Sequence, residues 1–127
     1  MLKKYHINYS NSFGLTDEEI LDEYKRCDIV NFPSTYEGFG MPIIEAQAVG
    51  RCVITSNIPP MSEIVGDYPL QVDPFSVESI RKAYIQIMND SVLRSNLIKS
   101  GLENVKRFNL KKISSDYMTL YQKVLNS

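Results

Sequence analysis

Short apolar runs alternate with stretches in which apolar residues return every three or four positions, and that alternation predicts the elements of the fold. Residues 5–9 alternate apolar and polar side chains as a strand does, and Ser10, Asn11, Ser12 and Gly14 read as the loop leaving it. Thr16-Asp17-Glu18-Glu19 has the form of a capping box, in which the Thr16 hydroxyl accepts from the Glu19 amide while Glu19 reaches back. It predicts a helix that buries Ile20, Leu21 and Tyr24 and ends near Arg26. Residues 28–32 are β-prone and stopped by Pro33-Ser34, as in a buried parallel strand entering a loop. The next helix is expected to begin at Pro42, where a missing N–H costs nothing, and to close at the left-handed cap Gly50. Residues 52–55 and 70–72 supply two more short strands, the second stopped by Asp73-Pro74.

Beyond Pro74 the pattern turns helical. Val77, Ile80, Tyr84 and Ile87 form one stripe, Val92, Leu93, Leu97, Ile98 and Val105 a second, and Leu110, Ile113, Tyr117, Leu120, Tyr121 and Val124 a third. All three are expected to pack, since aromatic residues at helical spacing are more often core than a binding surface. Strand and helix in alternation imply an α/β fold with a parallel sheet and ligands at the carboxyl ends of its strands. No repeat or linker interrupts the chain, so residues 1–127 are expected to form one domain.

Composition narrows the function classes. The 14 Lys+Arg and 15 Asp+Glu leave a net charge of −1, which gives no overall attraction to nucleic acid, and no nucleic-acid partner is expected. No apolar run approaches the roughly 18 residues of a membrane span, and the start lacks a secretory apolar stretch, so a cytoplasmic setting is the simplest. Cys27 and Cys52 have no metal-spaced partners and are expected to be small buried hydrophobes on strands, with no metal bound. His6 is the lone histidine, near the N-terminus, which argues against a Ser-His-Asp or Cys-His hydrolase.

The chemistry concentrates in residues 33–46, between a buried strand and a helix N-terminus. Gly38 and Gly40 let backbone amides approach a ligand closely, and the helix that follows aims its unpaired N–H groups and positive dipole end at the same place. A diphosphate suits that arrangement; a tight turn is the plainer reading of two glycines. Glu45 lies in an otherwise apolar or small helix apart from Gln47 and is expected to be largely buried. Interaction with the helix dipole or hydrogen bonds from a ribose diol would each satisfy it. Glu37 stands at the mouth of the loop.

Glu37-Gly38-Phe39-Gly40, with Glu45-Ala46 following so that seven residues separate the two glutamates, resembles the motif of retaining GT-B glycosyltransferases of family four. The similarity runs through Leu21 to Pro33-Ser34, Gly50 to Ser56, Ser62 to Asp67 and Val72-Asp73-Pro74, and covers most of Leu15 to Val124. It implies a Rossmann-like three-layer domain, the C-terminal donor-binding half of a GT-B enzyme, incomplete and followed by C-terminal helices. By the resemblance, Glu37 lies by the donor sugar and is the catalytic candidate, Glu45 binds the ribose hydroxyls, and the amides around Gly38, Phe39, Gly40 and Met41 meet the β-phosphate and sugar. Leu15, in the turn Gly14-Leu15-Thr16, is placed against the nucleobase. The donor is a nucleoside diphosphate sugar, no cofactor or metal is implied, and the sequence contains no Asp-x-Asp pair.

Family members also carry an N-terminal acceptor domain and an Arg and Lys that clamp the diphosphate. Lys3 and Lys4 do not occupy the corresponding positions. The expectation is therefore a truncated domain, inactive by itself, that partners a missing N-terminal domain or self-associates and reaches a membrane only peripherally, through the full-length enzyme. The acceptor is left open, with polysaccharide biosynthesis as the setting. A non-catalytic sugar-nucleotide-binding or interaction module is the alternative.

Overall fold

A computed structural model describes residues 2–126. The elements run α1 (Asp17–Arg26), β1 (Ile29–Phe32), α2 (Met41–Ala48), β2 (Cys52–Thr55), α3 (Met61–Ile64), α4 (Val77–Asn89), α5 (Ser91–Asn104) and α6 (Leu110–Leu125), with 3-10 turns at Leu2–Tyr5 and Val105–Phe108. The capping box forms as expected, with the Thr16 amide donating to Glu19 Oε2 at 2.8 Å and the Glu19 amide to Thr16 Oγ1 at 3.3 Å.

β1 and β2 pair in parallel, Ile29 with Cys52 through Phe32 with Thr55, and α2 is the crossover between them. β2 is buried along its whole length, and α2, α4 and α5 pack on it. The core joins Ile43 and Ala46 of α2, Val53 and Ile54 of β2, Met61 and Val65 around α3, and Ala83, Ile87 and Leu97 of α4 and α5. A polar network lies within it. Buried Asn104 donates through Nδ2 to Gln47 Oε1 at 2.7 Å and to the Ile64 carbonyl at 2.8 Å, and Gln47 Nε2 donates to the Val65 carbonyl at 3.1 Å. Each buried amide is thereby satisfied, and the network fixes α2, α3 and α5 relative to one another.

Several sequence expectations are corrected. Residues 5–9 form no strand: the 3-10 turn reaches Tyr5, His6 has φ of 54°, and no neighbouring strand supplies the ladder partners an alternating segment requires. The strand expected at 70–72 contracts to one parallel bridge, Val72 with Ser56. Cys27 is not on a strand but caps α1, half-buried, while Cys52 is buried on β2 as expected. The third stripe does not pack: α6 has no buried residue, and Tyr117 and Tyr121 stay 57% and 56% exposed with rings tilted together at 6.2 Å. Periodicity marks an apolar face; what covers it depends on which elements lie opposite. Val77 and Val92 likewise fall on the exposed rims of their helices, and Ile20 and Leu21 of α1 are more exposed than their stripe implied.

Candidate functional site

The loop leaving β1 is held at its base by two hydroxyls from the end of β2. Thr55 Oγ1 donates to the Phe32 carbonyl at 3.2 Å, and Ser56 Oγ donates to the Ser34 carbonyl. Ser34 then returns a hydroxyl bond to the Tyr36 carbonyl at 3.1 Å, closing the turn that presents Glu37. The loop thus lies at the carboxyl ends of the parallel strands.

Beyond that turn the backbone is polar and unspent. Among the described residues, the amides of Gly38, Phe39, Gly40 and Met41 meet no protein acceptor, although they lead directly into the first turn of α2. Gly40 is buried and left-handed at φ 103°, and a Cβ there would sit 3.2 Å from Ile43 Cδ1, so the residue that turns the chain into α2 has to be glycine. The helix begins at Met41, one residue before the expected start at Pro42, so Pro42 occupies the second helical position, where its missing N–H still costs nothing. Four free donors at the positive end of a helix form an arrangement suited to an anion. Phe39 and Met41 are 42% and 52% exposed.

Glu45 lies on the same helix, four residues beyond Met41. It is half-buried rather than largely buried, and the polar residue that α2 does bury is Gln47. The difference follows from packing: Gln47 faces α5 and its network, whereas Glu45 faces α1. There Tyr24 donates its hydroxyl to Glu45 Oε2 at 2.8 Å. Burial, and after it the Glu45 bond and charge, push the Tyr24 hydroxyl well above the ordinary tyrosine range, so it stays a donor at any physiological pH. One carboxylate oxygen is therefore oriented by the protein, while the other accepts no hydrogen bond among the described residues.

Tyr24 is the residue that sequence reasoning missed in this role. Its helical spacing marks it only as part of a buried stripe; the signal for the role is that a buried tyrosine needs a partner for its hydroxyl. Tyr24→Phe is expected to lower stability by about 1 kcal/mol, the worth of one hydrogen bond, without unfolding the chain; urea denaturation measures it.

The remaining sites are placed around this pair. Leu15 is half-buried in a cleft of 320 Å³ that also contains Tyr24, Ile29 and Val30, and a second cleft of 370 Å³ joins Tyr24 to Glu45. Leu15 and Glu45 thus line different clefts that share Ile20 and Tyr24. Glu37 is half-buried, and its carboxylate makes no hydrogen bond or ion pair among the described residues. Burial raises the Cys27 thiol above its usual value, which leaves it a poor nucleophile. Among the described residues no group of three or more His, Cys, Asp or Glu is arranged to hold a metal, and no helix is long and apolar enough to cross a membrane.

Comparison with known proteins agrees with this placement of strands and helices. The sequence profile of the family described as "Glycosyl transferases group 1" matches residues 2–104. O-antigen chain mannosyltransferase B of Escherichia coli is 33% identical over 106 residues, 84% of this chain and 28% of the relative. Serotype-specific mannosyltransferase WbdA of Escherichia coli is 31% identical over 94 residues, 74% of this chain and 12% of the relative. Among solved structures, sucrose-phosphate synthase from Thermosynechococcus elongatus superposes with a TM-score of 0.79 at 27% identity, covering 98% of this chain and 33% of that one. The C-terminal domain of a glycosyl transferase group 1 family protein from Francisella tularensis gives a TM-score of 0.71 at 29% identity, covering 84% of this chain and 57% of that one. The chain therefore spans about a quarter or less of the length of these two curated relatives.

Proposed function

The chain belongs to the group 1 glycosyl transferases, and from that premise we propose that it forms the donor side of a retaining sugar transfer, holding a nucleoside diphosphate sugar at the head of α2. The observation that carries the proposal is the row of four free amides, 38–41, opening onto α2, the helix that also carries Glu45. The diphosphate accepts from those amides, whose charge stabilisation grows as the leaving diphosphate gains charge. The ribose diol donates to the Glu45 oxygen that Tyr24 leaves open. The base lies against Leu15, in the cleft on the other side of Tyr24. Glu37, whose carboxylate is uncommitted, faces the sugar and the positive charge that develops on it.

Two of the relatives are mannosyltransferases by name, so we assign the transferred group as a mannosyl residue and the setting as polysaccharide assembly. The complete transfer also requires an acceptor site and cations on the diphosphate, and the proposal assigns neither to the described residues. Electrostatic positioning, with no metal, supplies the donor half of the chemistry.

Equilibrium titration separates this reading from a plain turn. Nucleoside diphosphates are expected to bind at least roughly tenfold more tightly than the corresponding nucleosides, because the amides act only on the phosphates. Equal affinity for nucleoside and diphosphate, or no binding of either, would remove the anion-binding role from residues 38–41.

A further inference from the structure

We infer that Phe108, beyond the residues matched to the family profile, is a positioning residue that clamps Phe39 and thereby holds the amides of residues 38–41 in place. Its effect on ligand affinity rests on the donor-binding reading above; its effect on the loop does not.

The base of the loop is held by Thr55 and Ser56, but residues 38 and 39 beyond it are sparsely secured. Among the described residues, the amides of residues 38–41 make no hydrogen bond, and a Cβ built on Gly38 would meet nothing within 4 Å. Two glycines within three residues add backbone freedom. Gly40 is anchored at the helix entry, where its carbonyl accepts from the Ile43 amide at 3.0 Å; at Phe39 the specific contact is aromatic, the Phe39 and Phe108 rings meeting edge to face, with centroids 5.9 Å apart and planes at 89°. That is the preferred geometry of an aromatic pair.

Phe108 is itself firmly held. It is half-buried against the core, and the Arg107 guanidinium lies over its ring at 5.3 Å. Arg107 Nη1 also donates to Asn104 Oδ1 at 2.8 Å, and Asn104 is the hub of the buried network that reaches Gln47 on α2. The segment after α5 is thus tied to α2 at both ends: by polar bonds at Gln47 and by the ring pair at the loop that enters the helix. A rigid body of buried amides is coupled through one phenylalanine to an otherwise weakly secured row of donors. Such donors serve a ligand best when their geometry is fixed beforehand, since ordering them on binding subtracts from affinity.

Backbone 15N relaxation on the whole 127-residue chain tests the clamp without any ligand. In the wild type the amides of residues 38–41 are expected near the order parameter of rigid backbone, about 0.85, and in Phe108→Ala below about 0.6, with the amides of β2 unchanged. Phe108→Tyr keeps the ring and should restore the wild-type values. Affinity for a nucleoside diphosphate should fall roughly three- to tenfold in Phe108→Ala, and Phe108→Ala should add nothing to Phe39→Ala. Should Phe108→Ala fail to fold, Phe39→Leu, on the exposed partner, carries the same relaxation test. Unchanged order parameters in the folded variant overturn the clamp, whatever the ligand does. A wild-type chain that binds no nucleoside diphosphate overturns the donor reading instead, and the relaxation result still decides the role of Phe108.

Discussion

Glu45→Gln is expected to weaken binding of a nucleoside diphosphate by roughly ten- to a hundredfold, the equivalent of charge-assisted hydrogen bonds worth about 1.5–3 kcal/mol. The substitution keeps the volume of the side chain and one acceptor oxygen, so Tyr24 retains a partner and α2 keeps its packing. Stability should therefore change little while affinity falls. A Glu45 that served only the fold would show the reverse, a lowered urea midpoint with affinity unaltered, because the loss would then fall on the Tyr24 bond and the helix dipole. Calorimetric titration and urea denaturation on the same two proteins distinguish these outcomes.

The largest effect on stability is expected at Gly66. Its φ is 73°, and a Cβ there would lie 2.1 Å from Asn104 Oδ1 and 2.7 Å from Asn104 Cγ, so Gly66→Ala must displace the buried amide that joins α5 to α2 and α3. The left-handed backbone costs about 1 kcal/mol for alanine, and the broken buried bonds add about 1–3 kcal/mol, giving a loss of about 2–4 kcal/mol. Gly50 is the internal control. It is also left-handed, at φ 70°, but its Cβ would meet only Ile98 Cγ2 at 3.7 Å, so Gly50→Ala should lose about 1 kcal/mol from backbone strain alone. Chemical denaturation of the two variants side by side checks the difference. Equal losses would mean that the Asn104 network carries no stability of its own.

The parts of this protein that a sequence shows best are those governed by neighbouring residues. The capping box at Thr16 and Glu19 and the left-handed close at Gly50 both follow from local backbone chemistry, and both are present. The glycine loop and both glutamates were visible for the same reason. Residues 5–9 and 70–72 failed as strands because a strand is a relation between segments, and alternation specifies only one side of it. The face of α6 reads as core for an analogous reason: its period is right, and no described element covers it. The features least visible beforehand are pairs distant in sequence, Tyr24 with Glu45, Gln47 with Asn104, and Phe39 with Phe108. A composition or a period carries no information about which polar tip meets which, so the exchange of roles between Glu45 and Gln47, one half-exposed and one buried, had to come from the packing of α1 and α5 against α2.

The central claim is that a sugar nucleotide's diphosphate and ribose are gripped together at the head of α2, and amide chemical-shift mapping reads both contacts at once. Titrating labelled chain with GDP, UDP and ADP should shift the amides of Phe39, Gly40 and Met41 together with that of Glu45 for at least one of them, and the 2′-deoxy and 3′-deoxy forms of that nucleotide should bind more weakly. Shifts that avoid residues 39–41 with every nucleotide, or deoxy nucleotides that bind as tightly as the parent, would contradict the account and leave Glu45 a structural residue of α2.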